Sequence, residues 1–309
     1  MSAIGIDIGG TKSFAVRWSE SGIEEESRVE HAAGLETVAT IVEAIDRVAD
    51  GTQAAIGVGV AGLVDTADRR FVWGPHVRGT GLAIGADIQE RYDVPVIVDN
   101  DANTALYGEL RLGVAQGYGN VLLVTLGTGI GGAIAIDGQV YRGGGFAGEW
   151  GHMKVMDGGL LCDCGKRGCW ETVASGPALE RLAREVVAAN PSSSLAVSLD
   201  GAAPTGASVV AAADRGEETA RALVAEVGRS FGLGLADLAA IFDPELIVVG
   251  GGLGSVGESI LGPARRTLID SLHGGSHRIA PTVHVAQLGP AAGAVGAALL
   301  AAEGGTHVL

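Results

Sequence analysis

Three cysteines and one histidine fall in the pattern His152-x9-Cys162-x-Cys164-x4-Cys169, and the chain has no other cysteine. Three thiolates and an imidazole make a complete tetrahedral shell for a structural zinc ion. Gly165 and Gly168 let the backbone turn tightly between the ligands. A disulfide is disfavoured, because the cysteines are odd in number and Cys162 and Cys164 are too close in sequence to bridge without strain. Glu149 and Glu171 flank the cluster. Beside a metal-braced loop they would form a rigid polar edge suited to hydroxyl groups. A His152 ring bound to metal through one nitrogen keeps the other free to donate a hydrogen bond.

A second chemistry is written in glycine. Asp7-Ile8-Gly9-Gly10-Thr11-Lys12 follows an apolar run. Its glycines let the backbone wrap a phosphate, Thr11 could donate its hydroxyl, and Asp7 could hold a magnesium ion through water. Gly127-Thr128-Gly129 and Gly250-Gly251-Gly252 also lie just past apolar runs. Ligands of α/β sheets bind at the carboxyl ends of strands, so three such turns point to a phosphate-bearing ligand. None is a Walker loop, since no Gly-Lys-Ser/Thr follows at the right spacing. Gly127-x-Gly129-x-x-Gly132 has the letters of a dinucleotide fingerprint, but Ala133–Ile136 reads as strand where that fingerprint needs helix. Asp99-Asn100-Asp101-Ala102-Asn103 is the remaining polar cluster. Helix capping accounts for one of its residues. Asn100 and Asp101 could also grip vicinal sugar hydroxyls, and a carboxylate there could serve as base toward a hydroxyl nucleophile.

The elements that must carry these residues alternate in type. Ile4–Ile8 and Phe14–Trp18 read as a hairpin, with Glu24–Glu30 as a third strand. Val38, Ile41, Val42, Ile45 and Val48 fall at helical spacing. Ala55–Val60 reads as strand, Leu82–Arg91 as helix, Pro95–Val98 as strand and Ala102–Leu112 as helix. Val121–Leu126, a glycine turn and Ala133–Ile136 then repeat the opening plan, a weak internal repeat that suggests two related α/β halves. Helices are expected at Glu218–Leu238, Pro263–Leu272 and Ala291–Ala302, and strands at Glu245–Val249 and Val283–Leu288. The alternation indicates α/β architecture with mixed sheets.

Length and composition bound the rest. The 309 residues suggest about two domains, and 47% hydrophobic content supports a packed core. Aromatics make up only 4%, while glycines number 51, so small and aliphatic side chains must dominate the packing. A net charge of −15 argues against duplex nucleic acid and anionic membrane surfaces as partners, since both need a basic face. Residues 112–136 and 279–302 carry no formal charge, but Gly, Gln or Pro interrupts each, so no membrane span is expected. His76, His273, His277 and His284 have no motif around them. The N-terminus has no basic region or cleavable apolar stretch, which leads to the expectation of a cytoplasmic protein with reduced thiols.

Together these motifs resemble the ROK family of sugar kinases, within the actin-like ATPase/hexokinase superfamily, over nearly the full chain. The segments that carry the resemblance are Asp7–Lys12, Ala61–Asp65, Asp99–Asn103, Leu126–Gly132, Glu149–Glu171 and Val248–Gly252. The stretch from Gly151-His152-Met153 through Cys162–Glu171 is the most specific, because it matches the family's zinc signature. Within the family the chain is most similar to ATP-dependent bacterial glucokinases. The resemblance implies an α/β, two-lobed, ribonuclease H-like fold with mixed β-sheets flanked by helices. Residues 1–112 with 291–309 would form a small N-terminal lobe, and 113–290 a large C-terminal lobe carrying the zinc loop.

It further implies ATP-dependent phosphorylation of a hexose at the 6-hydroxyl, with glucose the expected acceptor. Asp101 would deprotonate that hydroxyl, and Gly62, Asn100, Glu149, His152 and Glu171 would join it in holding the sugar. Asp7, Gly9, Gly10, Thr11 and Lys12 would form one phosphate loop, Thr128 and Gly129 another, and Gly250, Gly251 and Gly252 would lie near the adenosine. ATP would enter with Mg2+, His152, Cys162, Cys164 and Cys169 would bind the structural Zn2+, and the chain would form a homodimer or homotetramer. Glucokinases of this type usually carry Pro-Asn where this chain reads Gly74-Pro75-His76, so kinases for fructose, mannose or an N-acetyl hexosamine are the alternatives. Sugar-binding repressors of the family carry an N-terminal winged-helix region. None is expected here, because the phosphate loop starts at Asp7. A catalytically dead sugar sensor is the other non-enzymatic alternative, and the intact Asp101 and phosphate loops count against it.

Overall fold

The computed structural model describes residues 2–9, 12–30, 37–75 and 77–305. In chain order it begins with β1 (Ser2–Ile8), β2 (Lys12–Ser19), β3 (Gly22–Glu30), α1 (Thr37–Val48), β4 (Gln53–Val60), β5 (Leu63–Asp65), β6 (Arg70–Trp73), α2 (Ile84–Tyr92), β7 (Val96–Asn100) and α3 (Asp101–Leu112). It continues with β8 (Val121–Leu126), β9 (Ile130–Ile136), β10 (Gln139–Tyr141), α4 (Gly176–Ala189), α5 (Ser194–Ser198), α6 (Gly206–Asp214), α7 (Glu218–Phe242), β11 (Leu246–Gly250), α8 (Glu258–Ser271), β12 (Thr282–Val285) and α9 (Ala292–Ala302).

Two five-stranded sheets have the orders β3-β2-β1-β4-β7 and β10-β9-β8-β11-β12. Numbered within its own sheet, each reads 3-2-1-4-5, so the repeat expected from the two glycine turns is a repeat of topology. In the first sheet β1 pairs antiparallel with β2 and parallel with β4, and β4 pairs parallel with β7. In the second, β10 lies antiparallel to β9 and β11 parallel to β12. The chain groups into two compact units: Met1–Leu123 with Ala133–Gly148 and Ala286–Leu309, and Val124–Gly132 with Glu149–Val285. Among the described residues no helix is long and apolar enough to cross a membrane.

The period-two alternation of β1 organises the first unit. Ile4, Ile6 and Ile8 are buried in one core with Ile41 and Ile45 of α1 and Ile84 and Ile88 of α2. Each such side chain contributes about 1.5–3 kcal/mol on burial. Ala3 faces the other way, into a cluster with Val16, Tyr107, Ala294 and Ala298. Gly5 and Asp7 share that second face. Gly5 pairs in register with Gly57 of β4, and α9 lies directly on the bare backbone. A Cβ added to Gly57 would stand 1.9 Å from the Ala297 carbonyl oxygen, and one on Gly5 1.9 Å from that of Ala294. This close approach accounts for the Ala- and Gly-rich, charge-free composition of α9. Gly57→Val should therefore destabilise the protein by about 3 kcal/mol, at the upper end of overpacking costs. A thermal unfolding midpoint unchanged from wild type would contradict this packing.

In the second unit the long α7 is a platform. Trp170 is fully buried, stacks on Phe231 of α7 with ring centroids 5.4 Å apart, and donates its indole N–H to the Ser230 carbonyl at 3.0 Å. The helix expected from Pro263 starts instead at Glu258, with Pro263 inside it. The lost bond to the Ser259 carbonyl is tolerated because Pro263 is buried beside α7, where a Cβ on Gly228 would lie 3.2 Å from that of Pro263. The last strand stops at Val285 rather than Leu288, and β7 runs on through Asp99 and Asn100.

Candidate active site

At the end of β7 the chain turns directly into α3, and Asn100 makes the turn. Its Oδ1 accepts the N–H groups of Ala102 (2.8 Å) and Asn103 (3.2 Å), capping the helix. Its Nδ2 donates to the Gly62 carbonyl at 3.0 Å, fastening the loop after β4. Gly62 has φ +133°, and a Cβ there would lie 2.6 Å from the Trp73 carbonyl oxygen, so only glycine fits. Capping thus explains Asn100, but not Asp101. Burial holds the Asp101 carboxyl above the ordinary aspartate range, and the Asp99 charge adds to this while hydrogen bonds from Ala102 and Asn100 oppose it. Asp7 of β1 is close enough to feel the Asp101 charge. Burial first, and then that charge, push its carboxyl up to about 7. Asp7 reaches this position because Gly293, near the start of α9, has no side chain: a Cβ there would stand 2.8 Å from the Asp7 carboxyl.

The glycine turns lie at strand ends as expected. The Gly9 N–H donates to the Lys12 carbonyl at 2.9 Å, closing the β1–β2 turn, while Gly10 and Thr11 lie outside the described residues, as does His76. Lys12 is exposed and pairs with Glu30 at 3.9 Å. In the β8–β9 turn the Gly127 N–H donates to the Gly129 carbonyl at 3.0 Å, the Gly127 carbonyl accepts from Gly176 at the start of α4 at 2.8 Å, and Thr128 is exposed. The Gly250–Gly252 turn is tied to the same strand end, where the Leu253 N–H donates to the Leu126 carbonyl at 2.9 Å. Gly251 sits against that carbonyl, with room for no Cβ, whereas Gly252 faces open space.

His152, Cys162, Cys164 and Cys169 come together with all four ligand atoms within 4.8 Å of one another. The Cys164 and Cys169 sulfurs are 3.6 Å apart, as are the Cys162 sulfur and His152 Nδ1. A tetrahedral zinc ion requires roughly 3.8 Å and roughly 3.6 Å for these separations, so the donor set fits the metal. The loop is a small hairpin, bridged at Lys154–Cys169 and Leu161–Arg167. Gly168 has φ +76°, and a side chain there would collide with the Met156 carbonyl. Lys154 Nζ lies 3.4 Å from the Cys169 sulfur, where its charge would offset the surplus of three thiolates over a dication.

Glu171 joins this cluster to the β8–β9 turn. Its Oε1 accepts the Cys162 thiol at 2.8 Å and lies 3.4 Å from His152 Nδ1. Its Oε2 accepts the Ile130 N–H at 3.4 Å and sits over Gly129, where a Cβ would come within 2.6 Å. Burial, reinforced by this carboxylate, pushes the Cys162 thiol well above its ordinary value. His152 Nε2 faces Glu149 at 3.9 Å. The fold therefore gathers Asp7, Gly62, Asn100 and Asp101 in the first unit, and Glu149, His152, Glu171, the cysteines and the Thr128 and Gly250 turns in the second. His273, His277 and His284 are exposed, outside these groups. Arg142, which pairs with Asp99, carried no motif in the sequence.

The sequence profile of the ROK family matches residues 3–304. The chain is 39% identical to a glucokinase of Streptomyces coelicolor, over 97% of each protein. A crystal structure of a ROK family glucokinase from Streptomyces griseus, in complex with glucose and AMPPNP, superposes with a TM-score of 0.89 at 40% identity, covering 98% of this chain and 100% of that one. A ROK hexokinase from Thermus thermophilus gives a TM-score of 0.76 at 33% identity, covering 98% and 99%.

Proposed function

The chain belongs to the ROK family, with its actin-like ATPase/hexokinase fold, and from that premise we propose that it phosphorylates glucose at the 6-hydroxyl using ATP. The observation that carries the chemistry is Asp101, a half-buried, desolvated carboxylate with a raised pKa at the start of a capped helix. It takes the proton of the 6-hydroxyl as the sugar oxygen bonds to the γ-phosphorus and the bond to the ADP oxygen breaks. Asn100, Gly62, Glu149, His152 and Glu171 hold the remaining hydroxyls. Gly9, Gly10, Thr11 and Lys12 form one phosphate loop, to which Lys12 brings a cation, Thr128 and Gly129 form the second, and Gly250–Gly252 receive the adenosine.

A magnesium ion, held through water by Asp7, would neutralise charge on the transferred phosphates. A zinc ion on His152, Cys162, Cys164 and Cys169 would take the place of the Cys162 proton and brace the loop that presents Glu149, His152 and Glu171. Those thiolates suit the reducing cytoplasm. The resemblance to the family supports a homodimer or homotetramer, which sedimentation would resolve.

Two measurements follow. Release of ADP should be fastest with glucose and ATP across a panel of glucose, mannose, fructose and N-acetyl hexosamines, with polyphosphate as rival donor. Faster turnover of another hexose would replace glucose in this reading. The raised Asp101 pKa also fixes a sign: the base works only when ionised, so kcat/KM should fall on the acid side at a pH above the ordinary aspartate value. Asp7 interacts with it, so the pair should titrate together. A flat profile down to the ordinary aspartate range would exclude Asp101 as the base.

A further inference from the structure

Asp99, just ahead of Asn100 and Asp101, is 1% exposed, and its two oxygens collect four donors. Oδ1 accepts the Asn100 N–H at 2.7 Å and the Asn103 side-chain amide at 2.9 Å. Oδ2 accepts Arg142 Nε at 2.9 Å and Arg142 Nη2. One carboxylate thus grips the residues on both sides of Asp101. Arg142, 5% exposed at the end of β10, spends a further N–H on the Val140 carbonyl at 3.3 Å. Its guanidinium is the countercharge of the buried Asp99 carboxylate, and removing it would leave that charge buried and unpaired. A cavity of about 300 Å³, lined by Thr66, Arg69, Ile97, Asp99 and Arg142 among others, adjoins the pair.

We infer that Arg142 is a positioning residue for phosphoryl transfer: its forked ion pair with Asp99 fixes the β7–α3 turn and thereby the carboxylate of Asp101. The inference rests on the kinase reading above. Placement errors near 1 Å cost about 100-fold in rate, so a slackened turn should be felt in kcat before it is felt in substrate binding.

The test uses the full chain with glucose, ATP and magnesium. Arg142→Ala should lower kcat about 100-fold with little change in either KM. Guanidinium ion at a non-denaturing concentration, entering through the adjoining cavity, should restore roughly tenfold of that loss in a saturable way, whereas sodium at equal ionic strength should not. Arg142→Lys keeps the charge without the fork and should fall between. Wild-type kcat in either variant, or a loss that guanidinium repairs no better than sodium, would overturn the inference. If Arg142→Ala does not fold, Arg142→Lys decides alone: reduced kcat at unchanged KM supports the assignment, and wild-type kcat refutes it. Failure of the kinase reading looks different, because wild-type protein would then turn over no hexose at all.

Discussion

Asp101→Asn is expected to lower kcat for hexose phosphorylation by on the order of 10²–10⁴-fold, with folding and metal content unchanged. The substitution keeps the size and much of the hydrogen bonding of the side chain but removes its capacity to accept a proton. It should leave α3 intact, because the helix is capped by Asn100 and not by Asp101. It also relieves the repulsion that raises the Asp7 pKa, so stability should hold or rise slightly. Steady-state turnover, thermal unfolding and metal content of the two proteins check this together. Near wild-type turnover in the variant would mean that another group, or solvent, takes the proton.

Cys164→Ser should cost the metal and, with it, the sugar-binding edge. Wild-type protein is expected to hold about one zinc per chain. Structural zinc sites in small peptides are worth about 10–16 kcal/mol at neutral pH, and here the hairpin closed by the Lys154–Cys169 and Leu161–Arg167 bridges has little apolar packing of its own. Met156 is 53% exposed and Leu161 64% exposed, so the metal must hold what a core would otherwise hold. With the loop loosened, Glu171 loses its place over Gly129 and His152 its orientation. The expected signature is a zinc content near zero, a lower unfolding midpoint and a raised KM for glucose. Elemental analysis of fully active protein that finds no metal would overturn the assignment.

The parts of this account that were legible in the sequence are those whose signal is local. Cysteine spacing lies within eight residues, and the four ligands do assemble. The glycine turns follow strands of ordinary length, and their repetition points to two related α/β halves, which the structure realises as two sheets with one strand order. What was not legible depends on distance or on short elements. Three-residue strands such as β5 and β10 are too brief to show a period, and β10 is the one that delivers Arg142 to Asp99, 43 residues away in sequence. Helices α4, α5 and α6 were missed, although Ser175, Ser193 and Thr205 cap them. Their caps are conventional, but α5 is one turn long and α6 is too uniformly apolar for a helical period to stand out. No local signal marks Gly5 and Gly57, yet they are the sites where α9 docks. Asn100 lies in a polar cluster that capping explains only in part, and the structure shows it capping α3 and donating to Gly62.

The central claim is that this chain moves a phosphoryl group from ATP to the 6-hydroxyl of glucose with Asp101 as base. Phosphorus NMR of a reaction containing glucose, ATP and magnesium tests it most directly. Wild-type protein should produce ADP and glucose 6-phosphate in equal amounts, and Asp101→Asn almost none of either. Inorganic phosphate without sugar phosphate, or the same sugar phosphate from both proteins, would contradict it.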